Sequence, residues 1–164
     1  MTPLPQLCST KAPRVHLVIL DGGQAPRSAL AVPPGFLART IDGRRGATKA
    51  GLLAEFARAL EFPSDSGRNW DAFEELLADL EWLPAKGYLL IVSHADQLLT
   101  RDPDDYDVFI DILRGVAEEW ATPRHGESKR PAVPFHVCLV VARGRERARS
   151  DWRVPRLSIE RKTQ

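Results

Sequence analysis

Short, almost uninterrupted apolar runs, separated by longer amphipathic segments, constrain the fold of this chain more than any other feature. The runs read VHLVIL, YLLIVSH and FHVCLVVA, and a further strand-like segment, FLARTIDG, ends in an Asp-Gly turn signal. Strands that are buried on both faces have this continuous apolar character, and they are typical of parallel sheets covered by helices. The pattern predicts an α/β domain with a small parallel sheet of at least three strands packed with helices, at residues 36–41, 88–93 and 135–141. Residues 15–20 are the candidate for an extra strand at the N-terminal edge.

Three segments between these runs have helical spacing. The first, ATKAGLLAEFARALEFP, is closed by Pro63, and the second, GRNWDAFEELLADLEW, has Asn69 as a suitable N-cap. The third, DPDDYDVFIDILRGVAEEW, has Asp102 as the expected cap and Pro103 in the first turn. The spacing predicts that the core-facing residues are Leu52, Leu53, Phe56 and Leu60 in the first, Trp70, Phe73, Leu76, Leu77 and Leu80 in the second, and Phe109, Ile112, Leu113, Val116 and Trp120 in the third.

Length and local composition divide the chain into three parts. A chain of 164 residues with 43% apolar and 27% charged residues is long enough for one domain with extensions. We expect an N-terminal extension with one strand at residues 1–35 and the α/β domain at residues 36–142. Residues 143–164 carry eight basic and three acidic side chains with little periodicity, so we expect a basic, flexible tail there.

The sequence favours a cytoplasmic protein. It has no apolar run long enough to span a membrane, and its first residues lack the basic start and apolar stretch of a signal peptide. Cys8 and Cys138 are far apart in the sequence and do not have the spacing of a metal site. Two such cysteines are compatible with a reducing compartment.

Charge is distributed unevenly along the chain, although the net charge is only +1. Residues 61–119 contain 15 acidic and 4 basic side chains, and the remainder contains 19 basic and 7 acidic ones. Within the acidic part, Asp71, Glu75 and Asp79 are four residues apart and therefore form one stripe on the second helix. Like charges at this spacing cost a helix about 0.2–0.5 kcal/mol per pair. The stripe is either a solvated face neutralised by the basic tail or a docking surface for a cationic protein.

The residues that could support catalysis do not form a convincing enzyme site. Ser93, His94 and Asp96 are near neighbours in the sequence, whereas a catalytic triad converges from separate elements, so a turn is expected there. The glycines of DGGQ and DGRRG lack the Lys and Ser/Thr that complete a phosphate-binding P-loop. Asp71 and Glu75 share one helix face, unlike the opposed carboxylates of a glycosidase. The scattered histidines indicate no metal site, and no cofactor is expected; they are His16, His94, His125 and His136.

The order of elements and one motif resemble the barstar family, which comprises intracellular inhibitors of small ribonucleases of the barnase type. The resemblance covers roughly residues 36–142, from TIDG through ALEFP and the strand YLLIVSH to FHVCLVV. Its most specific part is the pattern Gly-x-Asn-aromatic/apolar-Asp-Ala-apolar, which is GRNWDAF in this chain.

In that family, the loop and helix after the motif glycine block the active site of the nuclease. The resemblance implies loop contacts from Gly67, Asn69 and Trp70, and acidic anchors four and eight positions beyond the glycine, which are Asp71 and Glu75. We add Asp79, the next acid of the stripe, as a candidate partner-binding residue. A ribonuclease site is a cationic pocket for a polyanion, so fixed carboxylates can imitate the phosphates.

This chain departs from the family pattern at several positions. Glu75 stands where an aspartate is typical, and Asp65 and Ser66 replace aromatic residues just before the motif glycine. An acidic contact from the family's third main helix falls near Gly115, where Asp111 or Glu118 are the alternatives.

Three hypotheses follow for the function. The first is a non-enzymatic inhibitor of a small, basic ribonuclease of the barnase type. The second is a barstar-like interaction module with another partner, such as a regulator or a different toxin. The third is an RNA-binding protein that uses the Arg-rich tail, which the acidic middle of the chain disfavours because it would repel a phosphate backbone.

Overall fold

The computed structural model describes residues 2–159. Four strands lie at Val15–Leu20 (β1), Phe36–Asp42 (β2), Gly87–Ser93 (β3) and Phe135–Ala142 (β4). The α-helices are Pro5–Cys8 (α1), Pro26–Leu30 (α2), Lys49–Ala59 (α3), Trp70–Asp79 (α4) and Asp105–Ala121 (α5). Short 3-10 turns lie at Gly43–Arg45, Ala95–Gln97 and Arg145–Ala148.

All four strands form one parallel sheet in the order β1-β4-β3-β2. The predicted α/β class and its three strands are confirmed. The extra N-terminal strand is confirmed as well: β1 pairs along its whole length with β4, from Val15 opposite Val137 to Leu20 opposite Ala142.

The two faces of the sheet are covered by different parts of the chain. Helices α3, α4 and α5 pack on the front face, where Leu90, Val92 and Leu139 join the larger core. Leu7 of α1 and Leu30 of α2 pack on the back face against Leu89 and Ile91. The extension before β2 therefore supplies both an edge strand and much of the cover of the back face.

The predicted helices and their apolar faces are confirmed, and all but two of the predicted core positions are buried. The two exceptions, Trp70 and Leu76, are half-buried. Asn69 caps α4 as predicted, since its side-chain Oδ1 accepts a hydrogen bond from Ala72 N at 2.8 Å. Helix α3 is fixed to the sheet by the buried Glu55, whose Oε2 accepts a hydrogen bond from Asp42 N at 2.6 Å.

The predicted cap of the third helix is wrong. Helix α5 begins at Asp105, after Asp104, and no side chain caps it. Asp102 instead accepts a hydrogen bond from Lys49 N at 2.7 Å and so satisfies the first turn of α3. The sequence supports either assignment, because an acidic residue stabilises any nearby helix N-terminus, including one distant in sequence.

Residues 143–159 differ from the expected flexible tail, because they pack against the domain. The Trp152 side chain is only 7% exposed, and its carbonyl oxygen accepts a hydrogen bond from the Tyr106 hydroxyl at 2.7 Å. Residues 155–157 run beside β1, with Leu17 N bonded to Pro155 O and Leu157 N bonded to Leu17 O. Isolated apolar anchors in a charged segment give no periodicity to detect. The end of the predicted tail, residues 160–164, lies outside the described residues.

Within residues 2–159, no helix has both the length and the apolar character needed to cross a membrane.

Candidate partner-binding surface

The acidic stripe lies on the exposed side of α4. Phe73, Leu77 and Ala78 face the core. On the opposite side, Asp71, Glu75 and Asp79 are all exposed. Helix geometry therefore brings the three predicted carboxylates onto one surface. Glu74 is also exposed beside them, and the motif-based prediction missed it because it is not part of the four-residue repeat.

The carboxylates of α4 are not neutralised by residues 143–159, the described part of the basic tail. None of Asp71, Glu75 and Asp79 takes part in an ion pair within the described part of the chain. The tail's Arg153 instead contacts Asp107 at 3.1 Å and Asp111 at 3.0 Å, both on α5. Residues 143–159 thus leave the α4 stripe available to external cations.

Asp79 has a different environment from the other two acids of the stripe. It follows Ala78, whose carbonyl oxygen accepts hydrogen bonds from Arg130 at 2.9 Å and Arg124 at 3.4 Å. Burial lowers the pKa of the Arg130 guanidinium, and Asp79 is one of the nearby groups that oppose this shift. These cations stabilise the carboxyl end of α4 and partly screen the charge of Asp79.

Trp70 is an element of the helix packing as well as a surface residue. Its indole Nε1 donates a hydrogen bond to Asp105 Oδ1 at 3.1 Å, and its ring centroid lies 5.7 Å from that of Phe73. The Lys49 ammonium lies 5.5 Å from the ring centroid. The half-buried indole is therefore held in place by three elements, and its exposed edge is presented with little freedom to move.

The loop before α4 places Gly67 on the surface next to the helix start. A Cβ built at Gly67 would lie 3.2 Å from the Ala72 Cβ, so the loop passes close to the first turn. Phe62, Gly67 and Phe73 help to line a small pocket of about 150 Å³ between this loop and α3. Asn69 shares the surface, but its side-chain oxygen is already used by the helix cap. The structure thus brings the six predicted residues together on one helix and the loop before it.

Among residues 2–159, no group of three or more His, Cys, Asp or Glu side chains could hold a metal ion.

Comparison with protein families identifies this domain. The family model described as Barstar (barnase inhibitor) matches residues 36–140. The chain belongs to the barstar family. No curated protein matches the chain.

The barstar match begins at β2 and ends within β4. It includes α4 and the loop that precedes it. Strand β1, helices α1 and α2, and the segment that follows β4 lie outside the matched residues.

Proposed function

We propose that this barstar-family protein inhibits a small ribonuclease of the barnase type, and that it does so in the cytoplasm by covering the cationic active site. The observation that carries the proposal is the unpaired state of the α4 carboxylates. Arg153 forms ion pairs with Asp107 and Asp111 on α5, whereas Asp71 and Glu75 have no such partner among the described residues. A self-repelling stripe costs little, and a basic partner would offset that cost.

Asp71 and Glu75 are the proposed anchors. They project from a helix whose other face is fixed in the core. The backbone that carries them is therefore already ordered, and its conformational entropy changes little when a partner binds. The guanidinium and ammonium groups of a nuclease site would form charge-assisted hydrogen bonds to these carboxylates. Asp79 lies near Arg124 and Arg130, so its attraction for an external cation is weaker.

Gly67, Asn69 and Trp70 are proposed to form the uncharged part of the interface. The absence of a side chain at Gly67 lets a partner approach the loop backbone closely. Trp70 supplies apolar area that Asp105 and Phe73 already hold rigid. Preorganised aromatic area of this kind favours tight protein–protein contact.

A titration of a barnase-type ribonuclease with the purified protein tests the proposal. We expect stoichiometric inhibition by the wild type, and at least a ~30-fold higher inhibition constant for Asp71→Ala and Glu75→Ala, as for interface hot spots. Asp79→Ala should change the constant by less than about fivefold. Glu127→Ala is the control, because it removes the same charge from an exposed loop residue that belongs neither to α4 nor to the loop before it.

Failure to inhibit would support the second hypothesis, an interaction module with a partner that is not a ribonuclease. The presence of Asp65 and Ser66 before the motif glycine is the sequence feature that favours it. Affinity capture with the wild type and Asp71→Ala in parallel would separate the two, since a specific partner of the same surface is lost with the variant.

RNA binding by the basic segment has less support. Of its arginines, Arg143 contacts Asp21, Arg153 contacts Asp107 and Asp111, and Arg149 stacks 3.5 Å above the Tyr106 ring. These side chains are committed to the fold, which weakens their use as phosphate ligands.

A further inference from the structure

A second candidate site contains no residue of α4. A cavity of about 490 Å³ opens at the carboxyl ends of β1, β3 and β4. Its walls come from the turn after β1, from the turn after β3 and from the end of β4, and Arg145 lies at its rim. The volume is within the range of about 300–1,000 Å³ that is usual for small-molecule sites.

The topology explains why a cavity forms at this place. The chain leaves β1 towards α2 on the back face and crosses to β2 at the far edge, whereas β2, β3 and β4 are connected through helices on the front face. Right-handed connections that run in opposite directions across a sheet must use opposite faces. The segment that follows β1 therefore leaves towards the back face, whereas the segment that follows its neighbour β4 leaves towards the front face. Open α/β sheets bind ligands in the crevice at such a point, outside the carboxyl ends of the strands.

Two glycines of the turn after β1, Gly22 and Gly23, line this cavity. Neither Gly22 N nor Gly23 N donates a hydrogen bond within the described chain. A Cβ at either glycine would meet no atom within 4 Å, and Gly23 has a φ of 85°, a conformation that favours glycine. Arg145 is exposed and forms no ion pair within residues 2–159. Asp21 also lines the cavity beside these glycines, and its carboxylate is paired with the Arg143 guanidinium at 2.5 Å. Backbone amides and the Arg145 guanidinium together form a site for an anionic group.

The remaining walls differ in character. Pro26 is half-buried and provides apolar surface, whereas Leu20 and Val140 are each only 4% exposed. On the side of β3, Asp96 is half-buried and has no ion-pair partner among the described residues, and Gln97 lies next to it. A carboxylate at this place accepts hydrogen bonds, so it favours a ligand with an amino group at that end and opposes a second anion.

The turn after β3 is held rigidly. His94 has the left-handed backbone conformation, with φ 50° and ψ 44°. A side chain at Gly43 would collide with the carbonyl oxygens of Ser93 and His94. The wall that carries Asp96 is thus fixed by close backbone packing, which is how a binding site is preorganised.

We propose that this cavity binds a nucleoside monophosphate or a ligand of the same chemistry. The anionic group would lie against Gly22, Gly23 and Arg145. A flat ring would rest on Pro26, with its amino group directed at Asp96. Strand β1 lies outside the barstar match, so the N-terminal extension contributes part of the site. It is independent of the proposed inhibition, because α4 contributes no residue to it.

Calorimetric titration of the full chain with adenosine 5′-monophosphate, adenosine and inorganic phosphate tests the proposal at low salt. We expect the nucleotide to bind at least ~10-fold more tightly than either fragment. Arg145→Ala should weaken nucleotide binding about 10-fold or more, in keeping with the loss of a charge-assisted hydrogen bond. Arg147→Ala, which removes the same charge from the same 3-10 turn but does not line the cavity, should leave binding unchanged.

Asp96→Asn tests the contact with the amino group of the ligand separately from the contact with its anionic group. It should weaken the binding of the nucleotide and of adenosine and leave phosphate binding unchanged or stronger. The proposal is overturned if the nucleotide does not bind, if phosphate binds as tightly as the nucleotide, or if Arg147→Ala weakens binding as much as Arg145→Ala does. A thermal unfolding curve for each variant distinguishes lost binding from lost structure.

Discussion

His16 Nε2 and His136 Nδ1 lie 2.9 Å apart in the interior, and their rings stack with centroids 5.2 Å apart. His136 Nε2 lies 2.6 Å from Ser9 O. Because a carbonyl oxygen only accepts, His136 carries its proton on Nε2, and in its neutral form its Nδ1 accepts from His16 Nε2. The pair thus joins β1, β4 and the N-terminal segment as long as both rings are neutral.

The pair predicts a loss of stability in mild acid. Burial, with a smaller contribution from His136, lowers the pKa of His16 to about 4. Burial also lowers the pKa of His136, partly opposed by the hydrogen bond to Ser9 O and aided by the charge of Arg14. Between pH 6.5 and about 4, the unfolded chain binds a proton that the folded His16 does not. Stability that is present above pH 6.5 is therefore lost as the pH falls through this window, by about 3 kcal/mol for His16.

Urea unfolding at a series of pH values measures this loss. His16→Gln keeps an amide donor near His136 but cannot titrate, so its stability should fall less between pH 7 and pH 4.5 than that of the wild type. His125→Gln, an exposed control, should behave as the wild type does. Parallel curves for wild type and His16→Gln would show that the histidine pair is not the cause.

Trp70 should contribute to stability and not only to a partner interface. Trp70→Phe keeps an aromatic ring against Phe73 but removes the donor to Asp105, and we expect it to lower the free energy of unfolding by about 1 kcal/mol. A double-mutant cycle with Asp105→Ala measures the coupling directly. A coupling energy near zero would mean that the indole–carboxylate hydrogen bond does not form in solution.

Asp102 should stabilise α3 although it lies just before α5. Asp102→Ala removes the acceptor of Lys49 N, and we expect a loss of about 1–2 kcal/mol in the free energy of unfolding. Asp104→Ala is the matched control, since Asp104 occupies the cap position of α5 without a capping hydrogen bond, and it should cost less than about 0.5 kcal/mol. Denaturant unfolding of both variants checks the assignment, which a reversed order of effects would refute.

Trp152 should anchor the segment that follows β4. Its side chain is buried, and its indole Nε1 donates to Glu146 O at 2.9 Å. Trp152→Ala should therefore cost about 3 kcal/mol, whereas the exposed Arg147→Ala should cost less than about 0.5 kcal/mol. Amide hydrogen exchange of residues 155–157 offers a second measurement: protection at Leu157 in the wild type, lost in Trp152→Ala, is the expected result.

The strands and the three long helices of this protein were predictable because they depend on neighbouring residues, whereas the short helices α1 and α2 were not predicted. Continuous apolar runs identify β1, β3 and β4, and the strand-like segment before an Asp-Gly turn identifies β2. Helical spacing identifies α3, α4 and α5, and Asn69 marks the start of α4. The family resemblance depends on the same local features, because its motif lies within one loop and one helix. The exposed stripe at Asp71, Glu75 and Asp79 likewise follows from spacing along a single helix.

Only the tertiary structure decided which distant groups meet. His16 and His136 are 120 residues apart, and Asp102 and Lys49 are 53 apart. The sequence offers several acids for each cation and several helix ends for each cap, so local spacing does not choose among them. The choice follows from the strand order, which places β1 beside β4 and opens the cavity between their turns. Local burial patterns thus determined the elements, whereas packing of the whole chain determined their partners and the second site.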